Sequence, residues 1–319
     1  MKGTYQIEVR NRRVVFTLEI QRNITVIRGD SATGKTTLIE MIQNYERFGI
    51  QSGITIQSKK TCRVLTDLDW EDRLSKIHDS IVFLDEGNRF ITSEAFARAI
   101  METDNYYVLI TRESLYQLPY SVNSVLKLKT TASRFKTTYV QSYPNYEYLD
   151  DPTERLNHAD KILTEDSNAG YQMFSKIAEQ NGFACESAQG KSNIILKLSQ
   201  SAGERVLLVA DGAAFGAEME RVYTFYNLNP GKITLYLPES FEWLLLQSGV
   251  LGDKTPSEIL SNPSEFIESQ DFFSWEQFFT HLLMELTRDT YMQYSKHHLN
   301  EFYLQSANIA HVLEAMKQK

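Results

Sequence analysis

Eight residues constrain this chain more than any others: Gly29-Asp30-Ser31-Ala32-Thr33-Gly34-Lys35-Thr36, followed by Thr37. They keep the spacing G-x-x-x-x-G-K-[ST]. A β-branched run, ITVIR (24–28), leads into them, and Leu38, Ile39, Met41 and Ile42 follow at helical spacing. Strand, glycine turn and helix in succession predict an α/β domain with a parallel sheet. The chemistry accounts for the residue types. Glycines let the backbone curl until successive N–H groups point at phosphate oxygens, and the helix behind them adds its positive end. Lys35 is placed for the β- and γ-phosphates and the Thr36 hydroxyl for Mg²⁺, with residues 29–37 as the cradle. The expected cofactors are ATP and Mg²⁺.

A second stretch, SIVFLDEG (80–87), has buried-strand character and ends in two acids. Asp85 is expected to help hold Mg²⁺. Glu86 is expected to act as general base toward an attacking water. That acid pair favours hydrolysis over a small-molecule kinase. A third strand, YYVLIT (106–111), puts Thr111 beside the acids as a sensor of the γ-phosphate. Arg112 follows it, as an exposed structural arginine or a charge-stabilising finger. Residues 94–103 read as a helix, and 5–10 with 14–20 as a strand pair before the glycine turn. Residues 124–142 read as a β-hairpin closing the domain. Its Lys127, Lys129, Arg134 and Lys136 form a basic stripe, expected to be a solvated face.

Residues 143–156 combine two prolines with adjacent aspartates and read as a linker. Beyond it a second α/β alternation begins. Strands are expected at 161–164, 182–187, 205–211 and 232–237. Acids stand at the carboxyl ends of three of them: Glu165, Asp211 and Glu239. In an open parallel sheet the ligand crevice lies at those ends. Three converging carboxylates there suit Mg²⁺ or Mn²⁺, and single acids equally suit helix N-termini. The turn GKSN (190–193) offers a cation and a hydroxyl before a helix, as an anion site or a capped turn. From 253 onward the pattern is helical, with Trp275, Phe278, Phe279, Leu282, Leu283 and Leu286 on one apolar stripe and His297-His298 on a helix. The domain reading is therefore 1–142, a linker at 143–156, a smaller α/β domain at 157–252, and a helical segment at 253–319.

Bulk properties agree with two domains. A chain of 319 residues exceeds what one core usually serves. Two separated cysteines make no disulfide framework. The amino terminus lacks the apolar stretch of a signal peptide, and no run approaches the ~20 apolar residues of a membrane span. The expectation is a cytoplasmic protein without membrane contact. Residues 1–150 carry a net charge of +2 and residues 151–319 carry −10. That balance speaks against a non-specific nucleic-acid binder, so any polynucleotide contact is expected to use a local patch; a second copy of the chain or a partner protein is the other macromolecular partner expected.

On the glycine loop, the Asp85-Glu86 pair and Thr111, the first 142 residues resemble the P-loop ATPases that carry an additional catalytic glutamate. More loosely they resemble the ABC-type ATPases, although the 49 residues between Lys35 and Asp85 hold no LSGGQ-like motif. On Glu165 and Asp211, the second half resembles the TOPRIM fold, whose Asp-x-Asp is here Asp211-x-Ala213. The two together are similar to the overcoming-lysogenization-defect nucleases. The resemblance implies an ATPase that gates or drives a metal-dependent nuclease in phage defence or a mobile element. The alternative is a nucleotide-controlled switch whose second domain is catalytically inactive.

Overall fold

The computed structural model describes residues 1–28, 34–66, 69–130, 136–143, 156, 158–201 and 203–317. The chain divides into two units. The first comprises Met1–Ser142 with Asn262–Ser274, and the second Tyr143–Ser261 with Trp275–Lys319. The segment expected as one carboxyl-terminal helical piece is thus split. Asn262–Ser274 belongs to the first unit because its backbone is tied there: the Gly3 N–H donates to the Ser264 carbonyl at 2.7 Å, and the Asn23 side-chain amide donates to the Phe273 carbonyl. Most of the expected linker, 144–155, lies outside the described residues.

Strands of the first unit are β1 (Tyr5–Arg10), β2 (Val15–Ile20), β3 (Ile24–Arg28), β4 (Thr55–Gln57), β5 (Thr61–Val64), β6 (Ser80–Leu84), β7 (Tyr106–Ile110), β8 (Val125–Thr130) and β9 (Lys136–Gln141). They form one mostly parallel sheet in the order β4-β1-β2-β9-β8-β3-β7-β6-β5. In β3, β6 and β7 every residue is buried, as expected of parallel strands covered on both faces. β1 instead alternates buried and less buried positions and pairs antiparallel with β2. Helices are α1 (Lys35–Phe48), α2 (Trp70–Leu74) and α3 (Glu94–Met101). The Ser93 hydroxyl caps α3 by accepting the Phe96 N–H.

Two features escape the sequence reading. The hairpin expected over 124–142 is present as β8 and β9, but its own residues do not give its place in the sheet. β8 also pairs parallel with β3, and β9 parallel with β2, so the hairpin joins the two halves of the sheet at its middle. A hairpin has two open borders, and strands on both sides satisfy its remaining backbone groups. In addition, β4 and β5 are the two outermost strands, yet only Ser58, Lys59 and Lys60 connect them. A flat sheet of this size would be about 38 Å wide at the usual strand spacing, whereas that connection reaches about 14 Å at most. The sheet therefore curls round. Inside the curl lies α1, whose Leu38, Ile39, Met41 and Ile42 share a core with Val9, Phe16 and Leu18 on one side and Ile27, Phe83 and Val108 on the other.

The second unit holds β10 (Lys161–Thr164), β11 (Ala184–Ser187), β12 (Val206–Val209) and β13 (Ile233–Tyr236). Its sheet is parallel throughout, in the order β11-β10-β12-β13. Around it are α4 (Ala169–Asn181), α5 (Ile194–Gln200), α6 (Met219–Leu228), α7 (Phe241–Gln247), α8 (Ser257–Ser261), α9 (Trp275–Thr287) and α10 (Ser306–Ala315). The chain leaves β10 toward β11 on one side and later fills β12 on the other. The carboxyl ends of β10 and β12 are consequently the topological switch point, where open α/β sheets place their ligands. Helix α9 buries Trp275, Phe279 and Leu283 of the predicted stripe. His297 and His298 are exposed and lie in turns between α9 and α10, not on a helix; Asp289, with φ 56°, turns the chain just past the end of α9. No helix among the described residues is long and apolar enough to cross a membrane.

Candidate functional site

At the carboxyl end of β3 the predicted phosphate loop begins. Gly29, Asp30, Ser31, Ala32 and Thr33 lie outside the described residues. Gly34 has φ 90° and ψ 7°, a left-handed conformation that favours glycine, and a Cβ there would touch the Phe16 ring at 3.4 Å. It precedes the 14-residue α1, and its carbonyl accepts the Leu38 N–H at 3.0 Å. Lys35 is buried at the helix start, while Thr36 and Thr37 are exposed. The core contacts of Leu38, Ile39 and Ile42 fix the direction in which this helix end faces.

Asp85 and Glu86 follow β6. The Asp85 carboxylate accepts the Glu86 N–H at 2.8 Å, and the Asn88 side-chain amide donates to the Asp85 carbonyl at 2.9 Å. These bonds hold the acid turn. Glu86 is exposed, and its carboxylate lies 3.3 Å from Nε of Arg112. Thr111 is buried; its N–H donates to the Ile27 carbonyl at 3.3 Å and its hydroxyl accepts the Glu113 N–H at 3.0 Å. Because β7 lies between β3 and β6, Thr111 stands between the strand that leads to Lys35 and the strand that ends at the acids. An open groove of about 600 Å³, lined by Glu86, Asn88, Arg89, Thr111, Arg112 and Glu113, runs along these ends.

In the second unit Glu165 follows β10 and Asp211 follows β12. With Asp166 they line a cavity of about 30 Å³ walled by Gly170, Phe174, Phe241 and Leu244, room for about one water or small ion. The Asp211 carboxylate accepts the Phe241 N–H at 2.9 Å, so it caps α7 from outside, and the Asp211 N–H donates to the Glu165 carboxylate at 3.3 Å. Burial pushes Glu165 up to about 7, with the Lys191 ammonium pulling the other way. Burial drives Asp211 far above the usual carboxylate range, and Glu276, Glu242, Glu165 and Asp166 add to it. Glu242 is almost wholly buried on α7 and accepts the Tyr294 hydroxyl at 2.8 Å. Glu276 on α9 accepts the Lys296 ammonium at 2.7 Å. Burial lowers Lys296, but Glu276, Glu242 and Asp211 together outweigh it and leave its pKa raised. Glu242 and Glu276 escape the sequence reading. Their only signal is an acid in the first turn of a very apolar helix, FEWLLL and WEQFF, which reads equally well as a cap.

Several expected roles change here. The acid expected at position 213 is absent, and Ala213 is buried with its N–H donated to the Glu239 carbonyl at 3.0 Å. Gly212 donates its N–H to the Pro238 carbonyl at 2.6 Å, and a Cβ on it would meet the Leu237 carbonyl oxygen at 2.5 Å and that of Pro238 at 2.8 Å. The two strand-end loops are thus joined through backbone, which requires glycine at 212. Glu239 is half-buried at the end of β13 and does not line the cavity. Among the described residues no three His, Cys, Asp or Glu side chains gather as a metal-holding group, so Glu165, Asp211 and Glu239 are not brought together. The GKSN turn does not present its cation outward as an anion site. Lys191 donates to the Ala214 carbonyl at 2.7 Å and lies 3.8 Å from the Glu165 carboxylate, because buried acids draw the ammonium inward.

Comparison of the chain with protein-family models and with curated proteins gives no match.

The metal implied for the second unit does not fit the side chains found there. One oxygen of Asp211 is taken by a backbone N–H, one oxygen of Glu165 receives another, and the other Glu165 oxygen faces an ammonium. The donors of the first unit do suit a magnesium nucleotide. The Thr36 hydroxyl and Asp85 carboxylate are the hard oxygens that Mg²⁺ prefers, and Gly34 and α1 supply the backbone start of an anion cradle.

Proposed function

We propose that the first unit binds and hydrolyses ATP, and that the second unit is an output element switched by that cycle and not a nuclease. One observation carries the ATPase reading. A left-handed glycine and a buried lysine open a long helix at the end of β3, and β7 places Thr111 between that end and the Asp85-Glu86 turn. In this reading the backbone of 29–34 and the Lys35 ammonium bind the phosphates. Magnesium supplies positive charge that neutralises the phosphate oxygens, with Thr36 and Asp85 as its protein ligands. Glu86 accepts a proton from the attacking water. Arg112, paired with Glu86, orients that carboxylate, and Thr111 reports on the terminal phosphate.

Buried Ala213 and the helix-capping bond of Asp211 favour an inactive second unit over a metal-dependent nuclease. Its acidity, −10 over residues 151–319, suits docking to a partner protein or a second copy over a nucleic acid. The test is ATPase and plasmid-nicking assays side by side with Mg²⁺ and with Mn²⁺. The expected result is ATP turnover that Lys35→Ala abolishes, and no nicking. Nicking that Asp211→Asn removes would reverse the reading of the second unit, and absence of ATP binding would end that of the first.

A further inference from the structure

We infer that Asn88 is a positioning residue for hydrolysis: its side chain clamps the peptide that joins Asp85 to Glu86 and so sets the direction in which the Glu86 carboxylate leaves the backbone. This role presupposes the ATPase reading of the first unit. Asp85 to Asn88 form a four-residue turn after β6. The Asn88 N–H, at 3.0 Å, and the Asn88 side-chain amide, at 2.9 Å, both donate to the Asp85 carbonyl. On the other edge of the same peptide, the Glu86 N–H donates to the Asp85 carboxylate at 2.8 Å. A peptide group is planar, so bonds at both edges fix the whole plate, and with it Cα of Glu86.

A turn needs only the backbone bond, and an asparagine ahead of a helix ordinarily sends its side chain forward as a cap. Asn88 precedes a short 3₁₀ helix, Arg89–Thr92, yet its side chain makes no cap bond there and reaches back to Asp85. Donation to a carbonyl requires the amide nitrogen on that side, which settles the orientation of the side chain. Asn88 is buried, whereas Glu86 is exposed, so packing does little to direct the acid. The Glu86 carboxylate meets Nε of Arg112 at 3.3 Å, but that side chain is itself 56% exposed, and exposed pairs hold geometry weakly. The direction of Glu86 therefore comes chiefly from its backbone. Asn88 lines the same groove as Glu86 and Thr111, which places the clamp beside the water that Glu86 would activate. A displacement of about 1 Å at such a group can cost about 10²-fold in rate.

The experiment is single-turnover ATP hydrolysis by the full chain with Mg²⁺ at pH 8. The proteins are wild type, Asn88→Ala, Asn88→Asp, Glu86→Gln, and Glu86→Gln combined with each Asn88 change. Aspartate keeps the shape of asparagine and, ionised, loses the N–H donors. Both Asn88 variants should slow hydrolysis by about tenfold or more. Their ATP dissociation constants in calorimetry should stay within about twofold of wild type, as expected when only the reacting state is affected. In the Glu86→Gln background the same changes should slow hydrolysis by less than about twofold, because the base they misdirect is already gone. A role confined to the fold would weaken ATP binding or slow both backgrounds alike, and either result would overturn the inference. So would wild-type speed in a folded Asn88 variant. Circular dichroism checks folding, and Asn88→Asp decides the matter if Asn88→Ala unfolds. A wild type that neither binds nor hydrolyses ATP would end the ATPase reading and this role with it, whereas the other outcomes leave that reading standing.

Discussion

Replacing Gly212 with alanine tests the backbone contact between the strand-end loops of the second unit. The added methyl carbon would lie 2.5 Å from the Leu237 carbonyl oxygen and 2.8 Å from that of Pro238. Both are backbone atoms, so no rotamer change relieves the clash, and the loops must part. Overpacking of this kind costs about 1–3 kcal/mol. Parting also stretches the N–H bonds from Gly212 to Pro238 at 2.6 Å and from Ala213 to Glu239 at 3.0 Å, each worth about 0.5–1.5 kcal/mol. Against this, alanine lowers the entropy of the unfolded chain, a gain of about 0.4–1 kcal/mol. The net loss is about 2–4 kcal/mol. For a unit of this size that lowers the melting temperature by about 10 °C, at about 2–4 °C per kcal/mol. Differential scanning calorimetry measures it, with Gly87→Ala as control, because a Cβ at Gly87 meets nothing within 4 Å. A Gly212→Ala transition within about 1 °C of wild type would refute the steric account.

Further outcomes follow from the same geometry. Glu86→Gln should retain ATP and slow single-turnover hydrolysis by about 10²- to 10⁴-fold, whereas Lys35→Ala should abolish ATP binding in calorimetry; unchanged turnover in Glu86→Gln would remove the base role. Glu165 has its pKa raised in the fold from 4.5 to about 7, so the fold gains protons there, and that contribution is full below pH 4.5 and lost as pH rises through 7. Glu165→Gln should therefore flatten this decline, by at most about 3 kcal/mol; urea unfolding at pH 5 and pH 8 reads the difference, and a slope equal to that of wild type would contradict it. Tyr294→Phe takes the hydroxyl from the Glu242 carboxylate, whose other oxygen is buried without a hydrogen-bond partner among the described residues, and should cost about 1–3 kcal/mol in chemical denaturation.

Much of the fold was legible because local pattern and burial agree. The alternation of Tyr5–Arg10 against the mostly apolar, wholly buried runs of β3, β6 and β7 separates antiparallel from parallel strands. β4 and β5 were not legible, since Thr55–Gln57 and Thr61–Val64 are too short to show a period. The position of the hairpin depends on pairing with β2 and β3, distant partners that leave no trace in its own residues. At the second strand-end site, Glu165 and Asp211 could be found from where their strands stop. The inward direction of Lys191, the burial of Glu242 and the effect of Glu276 on Asp211 arise only when α7, α9 and the 190–193 turn are packed together.

The three-residue tie between β4 and β5 makes the first sheet a hoop and not a ribbon. A ribbon frays from its free borders, but here each border strand is leashed to the other across the helix that begins at Lys35. Loosening either one drags on both, and on the packing of Leu38 and Ile42 between them. The lysine-bearing end of α1 accordingly shares the fate of the whole unit: amide protons of β4 and β5 should exchange in step with those of α1, leaving no partly opened form in which that end of the helix has come adrift alone.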